Sequence, residues 1–320
     1  VQEFLQIMLT RRHIRAKVMQ AIYAMQQNQN QDLDKELKAL QTSANQMQDL
    51  YWLWCSLFTQ LHLLATQQYE VAQKKYLASS DDKRQHEKIK ENLLLTAIAT
   101  NTPLQEAIEE AGMNLFDTQD EFVRNTYKNL IESEIFRKYL SEKQSFATDK
   151  RFILDCFEEL LAPNDSFYDY IEDHHLCWAD DYPLVNSFIS KLFSSLPPDA
   201  PEKYLLPELY KNAEEQTFLT DLFKKAVLHD AKLATYVDDK LTNWDKERIA
   251  VLDNILLKMA ICEFLYFPSI PIKVTINEYL ELSKEYSTAK SSLFINGVLN
   301  VVHKQLEEQE LIKKVGRGLL

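Results

Sequence analysis

The densest set of potential metal ligands in the 320-residue sequence is Glu172-Asp173-His174-His175-Leu176-Cys177, followed by Asp180 and Asp181. Imidazole, thiolate and carboxylate all bind metals. The spacing speaks against one shared ion, because neighbouring residues on a helix point about 100° apart whereas a His-x-x-x-His pair shares a face. The segment reads instead as a solvated acidic face around a packed Trp178. Nucleophilic catalysis needs a Ser or Cys beside a base, and His62, His86, His229 and His303 fall on helical patterns without a recognisable partner motif. These patterns predict no enzyme, no metal and no cofactor.

A different chemistry is available near the start of the chain. Arg11, Arg12 and Arg15 stand at the opening of a helical pattern, with His13 and Lys17 beside them and no acidic residue from Arg11 to Asp32. Guanidinium groups at that spacing project from adjoining strips, and the positive end of the helix dipole adds attraction for phosphate. Such a cluster is either a solvated face or a phosphate contact. In a chain of net charge −12 the local excess of base points to nucleic acid.

The elements that position these residues read as helices. Thr10 caps a helix from about 11 to 27 whose apolar positions Ile14, Val18, Ala21, Ile22 and Met25 share one face. A long helical pattern follows through Leu37, Leu40 and Met47 into the apolar stretch Leu50 to Leu64, then fades into a turn at Ser79-Ser80-Asp81-Asp82. Residues 101–200 hold 20 Asp and Glu against 8 Lys and Arg, which concentrates the acidity there. Turn signals at Ala162-Pro163-Asn164-Asp165 and the prolines 197, 198 and 201 predict a boundary near 195–207. Beyond it, Phe218 to Leu241 form one stripe ending near Asn243-Trp244. Ile249 to Ala260 form a second, stopped by Pro268 and Pro271. A third is marked by Ile276, Tyr279 and Leu280, and a fourth by Phe294 to Val302. Period-two strand patterns are missing, so the fold class is all-α.

Length and composition bound the rest. At roughly 150 residues per domain the prior is two domains, and 46% hydrophobic content can fill a core. Four glycines leave few positions for phosphate-cradling loops. Cys55, Cys156, Cys177 and Cys262 are scattered, giving neither a zinc framework nor a disulfide scaffold, and a reducing cytoplasm suits them. No apolar run is long enough for a membrane span. Val1 to Leu9 lack the pattern of a signal peptide, and Met8 is a candidate initiator.

Four ordered blocks resemble the NusB family of transcription antitermination factors. Arg11 to Tyr23 is similar to the family's Arg-rich opening helix. Asn243-Trp244 with Arg248, then Leu252 to Phe264, resembles its central helix, and Pro271 to Lys284 the one after. Phe294-Ile295-Asn296-Gly297-Val298-Leu299 resembles its Phe-Val-Asn-Gly-Val-Leu block. The resemblance implies NusB-like helical bundles with an additional helical insertion. Residues 1–30 then form an Arg-rich helix packing on a core at 205–320, and 31–204 form an expanded region. It further implies a non-enzymatic protein that binds boxA-type single-stranded RNA together with a NusE-type ribosomal protein, in a complex that modifies RNA polymerase. Carried over by position, Arg11, Arg12 and Arg15 contact RNA with Phe294, and Tyr23 and Asp253 face the protein partner. For the last two a plain packing or ion-pair role competes. Asn277, Asn296 and Gly297 read as structural.

The chain departs from the pattern at Lys290, where an acidic residue is common, at Leu293, where Lys is common, and at Tyr286-Ser287, in place of a Phe-Gly turn. Lys290 adds a possible phosphate contact and removes a carboxylate that could bond a base. Two other readings compete: an RNA methyltransferase, opposed by the shortage of glycines, and an interaction scaffold with little RNA affinity.

Overall fold

The first helix starts where Thr10 leaves the extended conformation. Its hydroxyl accepts from the His13 amide while the Thr10 amide donates to the His13 ring, a reciprocal cap that satisfies two helix-end donors. In this computed structural model, residues 6–74, 80–117, 120–239, 250–288 and 290–319 are described. They hold fifteen α-helices: α1 (Arg11–Gln27), α2 (Leu33–Lys74), α3 (Ser80–Lys90), α4 (Leu93–Ala99), α5 (Thr102–Glu110), α6 (Asp120–Glu132), α7 (Glu134–Ser141), α8 (Phe146–Cys156), α9 (Asp165–His174), α10 (Leu176–Ser195), α11 (Ala213–Leu228), α12 (Asp230–Asp238), α13 (Val251–Tyr266), α14 (Ile272–Tyr286) and α15 (Ser291–Glu308). Among the described residues there is no strand, only an isolated bridge between Ile7 and Glu208. The fold is all-α. No described helix is long and apolar enough to cross a membrane. The expected end signal at Asn243-Trp244, Arg248 and the first residue of the Ser79 turn lie outside the described residues; from Ser80 the chain is already helical.

Contacts divide the chain into two units, Val1–Met8 with Asn45–Leu209, and Leu9–Ala44 with Tyr210–Leu320. The first is built on α2 from Asn45 onward, where Tyr51, Leu53, Trp54, Cys55, Leu57 and Phe58 are all buried. Trp54 packs against Phe157, Phe167 and Tyr182, and its indole donates to Asn186 at 3.0 Å, so its N–H is satisfied within the aromatic core. Pro197 and Pro198 follow the end of α10, but the chain after them stays in this unit, with the Tyr51 hydroxyl donating to the Leu205 carbonyl. Of the acidic segment, His174 and His175 are exposed, as is Cys177, while Trp178 is fully buried and donates to the Gln46 carbonyl. Among the described residues no three His, Cys, Asp or Glu side chains are placed to share a metal.

The second unit has α13 at its centre. Ile255, Leu256, Leu257, Met259, Ala260, Ile261, Cys262 and Phe264 are all buried, covering every face of the helix rather than one stripe, as a helix surrounded by others requires. α1, α11, α12, α14 and α15 all pack on it. Helix α1 lies on α11, α13 and α14 through Ile14, Val18, Ile22 and Met25. The stripe from Phe218 is not one helix. It breaks at His229, whose backbone (φ −104°, ψ 12°) ends α11 and starts α12. The turn sets Asp230 against the buried ammonium of Lys258 on α13. The C-terminal tail folds back on the end of α13: Lys314 donates to the carbonyls of Glu263 and Phe267 at 3.1 and 3.0 Å, supplying the cation that a helix end favours. Gly318 passes so close that an added Cβ would lie 1.9 Å from the Pro268 carbonyl oxygen.

Candidate nucleic-acid interface

The three arginines of α1 do not lie on one solvated face. Arg11 donates to Glu215 at 2.9 and 3.0 Å and to Glu214 at 2.7 Å, and its guanidinium stands over the Phe218 ring. Arg12 makes two bonds of 2.9 Å to Glu278. Arg15 is inside, 1% exposed, and donates to Glu263 at 2.6 and 2.9 Å. Burial would weaken the hold of Arg15 on its proton, but the charge and hydrogen bonds of Glu263 outweigh it and its pKa is raised. The hydrogen bond from Arg12 comes first among the causes that hold the Glu278 carboxyl below its usual range. The base that is locally uncompensated in the sequence is thus compensated from α11, α13 and α14.

This corrects the grouping of Arg15 with Arg11 and Arg12 as outward-facing residues. The reason is helical geometry together with packing: Arg15 follows Arg11 by four residues but precedes Val18 and Met19 on the buried side, so its stem points toward α13. There Glu263 is fully buried and also accepts from the Tyr279 hydroxyl at 2.8 Å and the Thr275 hydroxyl at 3.2 Å. Lys17 is likewise buried, its ammonium donating to the Ser43 carbonyl and hydroxyl at 3.1 Å each. The acids that answer the arginines lie 203 to 266 residues away in sequence, which a local charge count cannot find.

Phe294 and Lys290 stand one helical turn apart at the start of α15, where Phe294 is half-buried and Lys290 exposed. Their position depends on the turn before them. Ser287 ends α14, and its hydroxyl donates to Asp253 at 2.6 Å and pairs with the Ser291 hydroxyl at 3.0 Å. Asp253 is 5% exposed. Its carboxylate faces the turn between α14 and α15, not solvent, which corrects its expected place on a partner-facing surface. Among the described residues the partner it meets is the Ser287 hydroxyl, not a Lys or Arg. Tyr23 is 39% exposed on α1.

The packing roles read for Asn277 and Gly297 are not found. Asn277 is exposed, and an added Cβ on Gly297 would meet nothing within 4 Å. Asn296 is half-buried and accepts from the Asn300 amide within α15. A surface glycine inside a helix costs about 0.5–1 kcal/mol relative to Ala, so Gly297 is not explained by the interior of this unit.

Residues 195–304 match the NusB family, described by that name. Over 123 residues the chain is 32% identical to the transcription antitermination protein NusB of Chloroherpeton thalassium, a stretch that is 38% of this chain and 58% of that protein. The transcription antitermination protein NusB of Salinibacter ruber is 34% identical over 112 residues, 35% of this chain and 70% of that protein. That of Finegoldia magna is 37% identical over 100 residues, 31% of this chain and 73% of that protein. No solved structure matches the chain. The chain therefore covers little more than half of the first of these relatives but more than two thirds of the other two. With the matched residues holding α13 and most of the helices packed on it, and two of these relatives covered over more than two thirds of their length, the chain belongs to the NusB family.

Proposed function

We propose that this chain is a non-enzymatic transcription antitermination factor that binds boxA-type single-stranded RNA together with a NusE-type ribosomal protein, and through that complex modifies RNA polymerase. The observation that carries the reading is the pairing of a half-exposed aromatic ring, Phe294, with an exposed cation, Lys290, one turn away on α15. Single-stranded RNA is read by stacking bases on aromatic side chains and by cations on its phosphates. Arg11 and Arg12, 30% and 41% exposed, extend the cationic surface. Each would exchange a surface carboxylate for a phosphate, and such surface pairs are worth only about 0–1 kcal/mol. Arg15 acts at a distance, by locking α1 to α13, and Asp253 by fixing the turn that sets Lys290 and Phe294. Tyr23 is the residue offered to the protein partner.

The paired state of Arg11 and Arg12 favours a second reading, a helical interaction scaffold with little RNA affinity. One experiment separates the two: titration of the chain with a boxA-like oligonucleotide, with and without the ribosomal protein, at two salt concentrations. Salt-dependent binding strengthened by the protein supports the first reading. Protein binding without RNA affinity in either condition supports the scaffold.

A further inference from the structure

Lys314, on the tail after α15, is placed as a nucleophile as well as a clamp. Its ammonium donates to the Glu263 and Phe267 carbonyls at 3.1 and 3.0 Å. An ammonium has three N–H groups and carbonyls only accept, so one N–H is left over, and among the described residues it has no partner. The neutral amine has two N–H groups, enough for both carbonyls, so losing the proton breaks neither bond and leaves the lone pair in the third position. The residue lines a surface pocket of about 620 Å³, which a small reagent can enter. Lys273, Lys313 and His303 face the same pocket, with Glu307 and Glu310 opposing them. A lysine taken out of water beside other cations is the usual form of an activated amine. Burial here outweighs the pull of Glu263 and brings the pKa of Lys314 down to about 8.

We propose that Lys314 is a site of N-acylation by acyl phosphates, and that acylation releases the C-terminal tail from the end of α13. The amine attacks the acyl carbonyl carbon and a C–N bond forms. The C–O bond to phosphate breaks, its electron pair leaving on the phosphate, and the surplus amine proton passes to solvent. Lys273 and Lys313, both exposed at the pocket, attract the phosphate, which makes an acyl phosphate a better substrate than an acyl thioester. The product amide keeps one N–H and no charge, so one of the two helix-end carbonyls loses its partner. What then holds the tail is the Val315 amide on the Pro268 carbonyl at 3.0 Å and the close passage of Gly318. At about pH 8 half of Lys314 is free amine, against about 0.4% of a lysine with the ordinary pKa near 10.4. A weaker base is also a weaker nucleophile; with the sensitivity known for thiols, the net gain in rate is about tenfold.

Incubation of the full chain with acetyl phosphate, followed by peptide mass spectrometry, tests this. At about pH 8 Lys314 should acetylate about tenfold faster than the exposed Lys290 and Lys304. Its rate should level off above that pH while theirs climb toward about pH 10. Inorganic phosphate should slow Lys314 selectively, and denaturant should abolish its lead. In the acetylated chain, and in Lys314→Gln, the Val315 and Gly318 amides should exchange hydrogen faster than in the parent. Acetylation of Lys314 no faster than that of the exposed lysines would overturn the proposal, as would a lead that survives denaturant. Indifference to phosphate, or faster reaction with an acetyl thioester at equal concentration, would overturn the choice of acyl phosphate. Unaltered exchange in the acetylated chain would overturn release of the tail.

Discussion

Arg15 on α1 and Glu263 on α13 meet through two parallel hydrogen bonds of 2.6 and 2.9 Å, both side chains shut away from solvent. Removing one partner of such a pair strands a buried charge and costs about 3–5 kcal/mol, whereas replacing both with apolar groups of similar volume is often neutral. Arg15→Ala should therefore lower the melting temperature strongly, and Arg15→Met with Glu263→Leu should recover most of the loss. A melt shifted by less than about 1 kcal/mol for Arg15→Ala, within the range of an exposed pair, would contradict the structural role assigned to it.

Arg11→Ala with Arg12→Ala should behave in the opposite way. Stability changes by at most about 1 kcal/mol for each surface pair lost. RNA affinity falls, and the slope of log affinity against log salt becomes shallower by about 0.7 for each phosphate contact removed. An unchanged slope in a normally folded variant would take this face out of the RNA site.

Phe294→Ala separates a base-stacking ring from a core one. Loss of a stacked base lowers RNA affinity by about 1–3 kcal/mol, whereas truncating a fully buried Phe costs about 3–5 kcal/mol of stability. The half-buried ring should show the loss of affinity with a smaller loss of stability. A large melting loss with unaltered affinity of the folded protein would remove Phe294 from the site.

Ser287→Ala leaves the buried Asp253 carboxylate without the 2.6 Å bond that reaches it from the turn. An unsatisfied buried polar group costs about 1–3 kcal/mol. Amide hydrogen exchange should accelerate first in the opening turn of α15, and RNA affinity should fall in Ser287→Ala although Ser287 itself need touch no RNA. Unaltered exchange there would show that the turn is held by other contacts.

Lys314 supplies a pH dependence. Burial lowers its pKa from 10.5 to about 8, against the opposing pull of Glu263. Between about pH 8 and pH 10 the unfolded chain keeps this proton while the folded chain releases it, so the unfolded state binds more protons and the site's contribution to stability rises with pH. Denaturant midpoints compared across that window should rise more steeply in the parent chain than in Lys314→Met. Parallel curves would show that the ammonium is not held as described.

The sequence made the helices legible where periodicity and punctuation agreed. Thr10 and the spacing of Ile14, Val18 and Ile22 mark α1, and Pro268 and Pro271 bracket the loop between α13 and α14. The break at His229 was not legible, because Phe218, Leu222 and Leu233 keep one apolar stripe across it and only the backbone turn divides them. The candidate site was legible in residue types but not in direction. Nothing near Arg15 in sequence signals that its partner is Glu263. The exposure of Asn277 and Gly297 likewise depends on which side of α14 and α15 faces inward, which a motif does not carry.

The long separation of Arg15 from Glu263 also sets a schedule for the growing polypeptide. The sequence separation of 248 takes roughly 12–50 s to synthesise at about 5–20 residues per second. For most of that interval α1 lacks α11, α13 and α14 to cover it, whereas the segment Asn45–Leu209 is complete before Glu263 is added. Assembly order therefore runs against chain order: α1 is made before Asn45–Leu209 yet finds its place after that segment is complete. A nascent chain stalled before Glu263 exposes an arginine-rich apolar helix, the kind of surface that chaperones and nearby ribosomal RNA would meet first.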